Sequence, residues 1–372
     1  MLDKGSELID ALNIVAKEKG IDKEIIFEAI EASLVTACKK NFGATNNVSV
    51  VIDRKTGEVT VYSQKLVVEE VQDGNAEISL EEAQEIDEAY GLDDYVSFVI
   101  TPSDFGRIAA QTAKQVVVQK FREAERDMLY NEYIAKERDA VTGIVQRVER
   151  RNIVVAIGRM DAIMPHNEQV PNEHYDFQDR IKVYVLEVRQ TTKGPMMTVS
   201  RTHPELVRRL FEQEIAEVYD GIVEIKSIAR EAGSRTKIAV YSKNPDVDPV
   251  GACVGINGYR VNVIVSELRG EKIDIISWSD DPRKYIASAL NPSRVLAVVT
   301  NPEESTAKVV VPDNQLSLAI GREGQNARLA ARLTGWRIDI KSESQSRELG
   351  FVSGADYFAD AGDYGDYRRD SW

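Results

Sequence analysis

Hydrophobic positions along the chain change period several times. Leu8, Ile9, Leu12 and Val15 recur at helical spacing and stop at Gly20; Ile25, Ile26, Ala29, Ile30, Ala32, Leu34 and Val35 resume it up to Gly43. This pattern predicts two helices over 6–41. Short alternating runs at 48–52, 59–63 and 65–71 follow, separated by polar or glycine turns, and predict a small antiparallel sheet. The acidic run 81–94 reads as a solvated face. Thr101-Pro102-Ser103-Asp104 then opens a long helix to about residue 136, expected to connect to the next domain.

From 138 to 200 the pattern turns to short β-branched runs, punctuated by Gly158, Pro165, Pro171 and Gly194-Pro195. They predict a small five-stranded barrel of the OB type. Pro204 precedes an amphipathic helix expected over Glu205–Val218.

An internal repeat follows. RTKIAVYS (235–242) and GACVGINGYRVNVIVSELRGEKIDII (251–276) recur as TAKVVVPD (306–313) and SLAIGREGQNARLAARLTGWRIDIKS (317–342). Gly255 aligns with Gly321 and Gly258 with Gly324; Ile273-Asp274-Ile275 aligns with Ile338-Asp339-Ile340. Each copy reads strand, short helix, Gly-x-x-Gly, helix, glycine turn, strand. Residues 346–372, rich in Ser, Asp, Gly and Tyr, read as a disordered acidic tail.

The formal net charge of −14 is uneven: −12 over residues 1–137, +2 over 138–341 and −4 over 342–372. The acidic ends therefore do not exclude nucleic acid from the balanced middle. Two cysteines without a CxxC, Cys38 and Cys253, argue against a disulfide framework or zinc site and fit a reducing cytoplasm. Both read as small buried residues. No stretch approaches the ~20 apolar residues of a membrane span, and the N-terminus shows no apolar leader. No cofactor or metal is expected.

The chemistry lies in the repeat. The Gly-x-x-Gly spacing alone is weak, since Gly362 and Gly365 in the tail share it. Two aligned copies, each between helices and before an Ile-Asp-Ile strand, have the layout of KH domains, whose loop clamps single-stranded RNA or DNA. Glycines let a phosphodiester lie against the loop backbone, and the following helix N-terminus favours negative charge. The candidate RNA-binding residues are Gly255, Ile256, Asn257, Gly258 and Arg260 in the first copy, and Gly321, Arg322, Glu323, Gly324, Gln325, Asn326 and Arg328 in the second. In the barrel, Arg147, Arg150, Arg151 and Arg159 supply charge, but ERRNIVVAIGRMDAIMP contains no aromatic for base stacking. A barrel that binds RNA and one that only spaces its neighbours both remain open. The histidines do not suggest catalysis; His203, before Pro204, reads as a capping or packing residue.

The order of parts resembles the NusA family of bacterial transcription elongation and termination factors. The resemblance covers about residues 1–345 and is most specific in TVSRTHPELVRRLFEQEIAEVYDGIVEIKSIAREAGSRTKIAV (198–240), DPVGACVGINGYRVNVIVSEL (248–268) and AIGREGQNARLAARLTGWRIDI (319–340). It implies a multidomain α+β chain. An N-terminal RNA polymerase-binding domain (1–137) would precede an OB barrel of the ribosomal S-one type (138–200). Two tandem KH domains (201–276 and 277–345) and an acidic tail (346–372) would follow. It implies a non-enzymatic factor that binds bacterial RNA polymerase core, nascent RNA and other Nus antitermination factors, and modulates pausing, intrinsic termination and antitermination. A monomer is expected. C-terminal acidic repeats found in some members are not seen in this sequence, and the barrel's stacking role does not carry over. Two rivals are an RNA-processing nuclease, for which residues 1–137 offer no catalytic cluster, and an RNA chaperone or ribosome-assembly factor without polymerase contact.

Overall fold

The structure, a computed structural model, describes Ile9 and residues 22–42, 48–74, 76–100 and 105–351. The chain divides into two compact units, the second beginning at Glu132. The predicted helix before Gly20 (Ile9 apart), Gly43 and Thr101–Asp104 lie outside the described residues.

In the first unit, α1 (Lys23–Phe42) buries Ile26, Phe27, Ile30, Leu34 and Cys38 at helical spacing. They meet the alternate residues Val48, Val50 and Ile52 of β1 (Val48–Ile52), and Val61 of β2 (Val59–Val68). Each such large side chain contributes ~1.5–3 kcal/mol. The predicted strands 59–63 and 65–71 are one strand, β2, because Ser63-Gln64-Lys65 contains no breaker. The sheet is mixed rather than antiparallel: β2 pairs parallel with the short β3 (Glu77–Ser79) and antiparallel with β1 and β4 (Tyr95–Val99). The first part of the acidic run forms α2 (Leu80–Ile86), capped by Ser79 and burying only Ala83, so its carboxylates stay in water, and the rest of the run is turn and coil. The long helix is α3 (Phe105–Ile134), whose Ala109, Ala113 and Val116 complete the core.

In the second unit, five strands close a barrel in the order β5-β6-β7-β9-β8. They are β5 (Ala140–Glu149), β6 (Asn152–Ile157), β7 (Met160–Met164), β8 (Arg180–Thr191) and β9 (Gly194–Ser200). The helix expected over Glu205–Val218 is interrupted. Ile215 is extended (φ −119°, ψ 109°) between α4 (Pro204–Glu214) and the single turn α5 (Ala216–Tyr219). His203 caps α4, its Nδ1 accepting the Glu205 N–H at 3.2 Å.

The first repeat copy continues with β10 (Val223–Glu231), β11 (Arg235–Ser242), α6 (Pro249–Val254), α7 (Tyr259–Glu267) and β12 (Lys272–Ser277). The second comprises α8 (Pro282–Ala289), β13 (Ala297–Asn301), β14 (Thr306–Val311), α9 (Leu316–Ile320), α10 (Gln325–Thr334) and β15 (Arg337–Ser342). In each copy the middle strand pairs antiparallel with the first and parallel with the last. The leading helix and first strand escaped the repeat alignment because the copies diverge there. Ala229, Ala239 and Ile276 of the first sheet share one core with Ile286, Leu329, Ala330 and Leu333 of the second copy. The small alanines let helices approach the sheet closely.

The first residues expected in the disordered tail are instead helical. Ser342 and Gln345 form a reciprocal capping box that starts α11 (Glu343–Leu349). Residues 352–372 lie outside the described residues.

Candidate nucleic-acid interface

The two Gly-x-x-Gly loops have one backbone. φ is +74° at Gly255 and +76° at Gly321, +52° at both Asn257 and Glu323, and +73° and +75° at Gly258 and Gly324. The first glycine of each pair, with ψ of 178° or 172°, occupies a region open essentially to glycine alone. A Cβ at Gly255 would meet Arg260 Cγ at 2.8 Å; one at Gly321 would meet Asn326 Cβ and backbone N at 2.8 Å. The second glycine of the second loop has a different task, whereas its counterpart Gly258 is buried. A Cβ at Gly324 would meet nothing within 4 Å. That open surface lets a phosphodiester approach the loop and the start of α10.

The candidate residues divide between this surface and its supports. Ile256 is 86% exposed, and Asn257 is exposed beside it. In the second loop the Arg322 and Glu323 side chains are 93% and 82% exposed and form an open ion pair at 3.8 Å. Arg260, expected to meet phosphate, instead donates to Glu217 at 2.9 Å and to the Ala252 carbonyl at 2.7 Å. Asn326 is buried and donates to the Leu290 and Ala319 carbonyls at 3.0 Å each. Both residues support their loops from behind.

Gln325 and Arg328 turn toward the first copy. Gln325 Nε2 donates to Glu231 at 2.8 Å and to Ser234 Oγ at 2.7 Å. Arg328 Nε donates to Glu231 at 2.5 Å, and Arg332 approaches the same carboxylate at 3.8 Å. The Arg328 hydrogen bond holds the Glu231 carboxyl below the usual glutamate range. Glu231 and Glu217 were invisible as partners because each lies far along the chain from the arginine it meets. Tyr259, 68% exposed immediately after the first loop, was also missed. Position-by-position comparison of the two copies would have singled it out.

In the barrel, Arg150 and Arg151 form the β5–β6 turn, both at positive φ (+48° and +72°), as a primed two-residue turn requires. Their exposed side chains have no hydrogen bond or ion pair among the described residues. Arg147 is held by Glu149 and by Asp161 at 3.3 Å, and Arg159 by Glu132 at 2.5 Å. The barrel does present an aromatic, contrary to expectation: Phe177 is 69% exposed. Its neighbour Gln178 donates its N–H to the Val145 carbonyl at 2.9 Å, setting the loop beside β5. Phe177 lies outside the run 149–165, on a loop that returns to the barrel from farther along the sequence. The barrel is fastened to the first repeat copy by Arg201, fully buried, which donates to Glu173 at 2.9 Å and to the Lys182 and Glu267 carbonyls at 2.8 and 3.1 Å.

Four family models match this chain in series: NusA N-terminal domain over residues 7–127, S1 RNA binding domain over 135–200, NusA-like first KH domain over 201–278 and NusA-like second KH domain over 282–348. A transcription termination/antitermination protein NusA of Bacillus subtilis (strain 168) is 60% identical over 345 residues, 93% of each chain. The chain belongs to the NusA family. Its namesake from Halalkalibacterium halodurans is 58% identical over 347 residues, 93% of this chain and 91% of that one. The solved N-terminal domain of NusA from B. subtilis is 59% identical over 33% of this chain and 98% of its own, with a TM-score of 0.31. The NusA order of an N-terminal domain, an S1 barrel and two KH domains is thus the order found here. Among the described residues no group of His, Cys, Asp and Glu could hold a metal ion, and no helix is long and apolar enough to cross a membrane.

Proposed function

We propose that this chain is a transcription termination/antitermination factor that holds single-stranded nascent RNA on its S1 barrel and KH domains while residues 1–137 bind bacterial RNA polymerase core. The observation that carries the RNA reading is the pair of loops of one backbone, each with its two middle residues exposed. The RNA surface comprises Gly255–Gly258, Gly321–Gly324, Arg150 and Arg151. Arg260, Gln325, Asn326 and Arg328 belong to it as supports rather than contacts. The working divisions are 1–137, 138–200, 201–276, 277–345 and 346–372. The net charge of −12 over residues 1–137 suits a protein partner better than RNA. The chain acts as a monomer without catalysis, and other Nus factors join it in antitermination.

Two assays on the full chain test this. Wild type and the double variant Gly258→Asp, Gly324→Asp are titrated with single-stranded RNA, and each is passed with polymerase core over a sizing column. The proposal expects RNA binding lost in the variant and polymerase binding retained by both. RNA binding without polymerase association would leave an RNA chaperone. Unchanged RNA affinity in the folded variant would remove the KH loops from the interface.

A further inference from the structure

The two KH loops differ in chemistry on one backbone. Position by position, Ile256 stands where the second loop has Arg322, Asn257 where it has Glu323, Tyr259 where it has Gln325, and Arg260 where it has Asn326. The second loop therefore projects a cation, 93% exposed. The first projects none. Its nearest arginine in sequence, Arg260, is held by Glu217 and by the Ala252 carbonyl, with its stem under Gly255. What the first loop offers is apolar: Ile256 at 86% and Tyr259 at 68% exposure. The corresponding Gln325 is covered, bonded to Glu231 and Ser234 of the first KH domain. Tyr259 has no such cover among the described residues.

We infer that the first KH loop grips its nucleotide by stacking a base on Tyr259, flanked by Ile256, while the second grips by charge at Arg322. The inference rests on the RNA-binding reading above. An aromatic beside a backbone cradle fits a base next to the phosphate, because every base has a π-face and no cation is needed. Stacking on one aromatic should contribute about tenfold in affinity. That term does not release counterions, whereas Arg322 does.

The test uses the full chain and a short single-stranded RNA of mixed sequence, titrated over a series of salt concentrations. Tyr259→Ala should weaken binding about tenfold with an unchanged salt slope, and Tyr259→Phe should restore it. Arg322→Ala should reduce the slope by about 0.7. RNAs carrying a single abasic nucleotide at successive positions add a readout that a merely structural role would not move. At one position the abasic penalty seen with wild type should vanish in Tyr259→Ala. Retained affinity in Tyr259→Ala, with Arg322→Ala still weakened, overturns the stacking role alone and leaves Ile256 and Tyr259 as a surface for a protein. A loss in Tyr259→Phe equal to that in Tyr259→Ala also overturns it. Failure of the wild type to bind RNA at all would instead remove the reading on which it rests.

Discussion

Arg328 and Glu231 meet through two hydrogen bonds, at 2.5 and 3.1 Å, that tie the helix after the second KH loop to the first KH sheet. Glu231 also accepts from Gln325, the residue directly after that loop. The contact fixes the second loop relative to the first domain, and it occupies an arginine that would otherwise suit phosphate. Arg328→Ala should therefore weaken RNA binding less than Arg322→Ala, despite the same loss of charge. Titration of both variants with one RNA at one salt concentration checks this. An equal loss would mean that RNA displaces Glu231.

The same carboxylate predicts a pH dependence. Arg328 lowers the Glu231 pKa in the folded protein, so its contribution to stability is fully present above the ordinary glutamate range. It is lost as pH falls through the folded value. Glu231→Gln should thus lower the urea midpoint at neutral pH and leave a smaller difference from wild type in acid. A difference independent of pH would contradict the pairing.

The paired glycines should separate by variant. Gly321→Ala places a Cβ 2.8 Å from the Asn326 backbone in a Gly-only conformation and should cost about 1–3 kcal/mol of stability. Gly324→Asp meets open space at an αL position that Asp tolerates, and should cost about 1 kcal/mol or less while weakening RNA binding. Chemical denaturation beside RNA titration tests both; the reverse order of stabilities would contradict the assignment.

Arg201→Ala should be the most disruptive of these changes. It leaves Glu173 and two carbonyls without their buried donor, at a cost of about 3–5 kcal/mol. Urea unfolding of the full chain measures it, and a cost below about 1 kcal/mol would show that water replaces the arginine.

Much of this architecture was legible in the sequence because it follows from periodicity. The five barrel strands, the repeat and the solvated acidic run are local patterns. The loops too were legible, since two aligned Gly-x-x-Gly copies, each between helices and before an Ile-Asp-Ile strand, point to one backbone. The partners of Arg260, Gln325, Asn326 and Arg328 were not, because tertiary contacts decide whether a basic or amide side chain faces solvent or another domain. Glu231 lies 97 residues from Arg328, and nothing in either local sequence announces the pair. Phe177 was hidden likewise, its loop brought beside β5 by a backbone bond from Gln178 to Val145. The early disorder boundary failed for a local reason: the Ser342–Gln345 capping box starts a helix in a polar stretch.

The central claim is that the KH loops act on transcription by holding RNA. It is tested most directly by single-round transcription with bacterial RNA polymerase on a template with a hairpin-stabilised pause. Wild type should lengthen the pause, and the folded Gly258→Asp, Gly324→Asp variant should do so less. An equal pause with both proteins would contradict the claim, and no effect from either would remove the polymerase from the account.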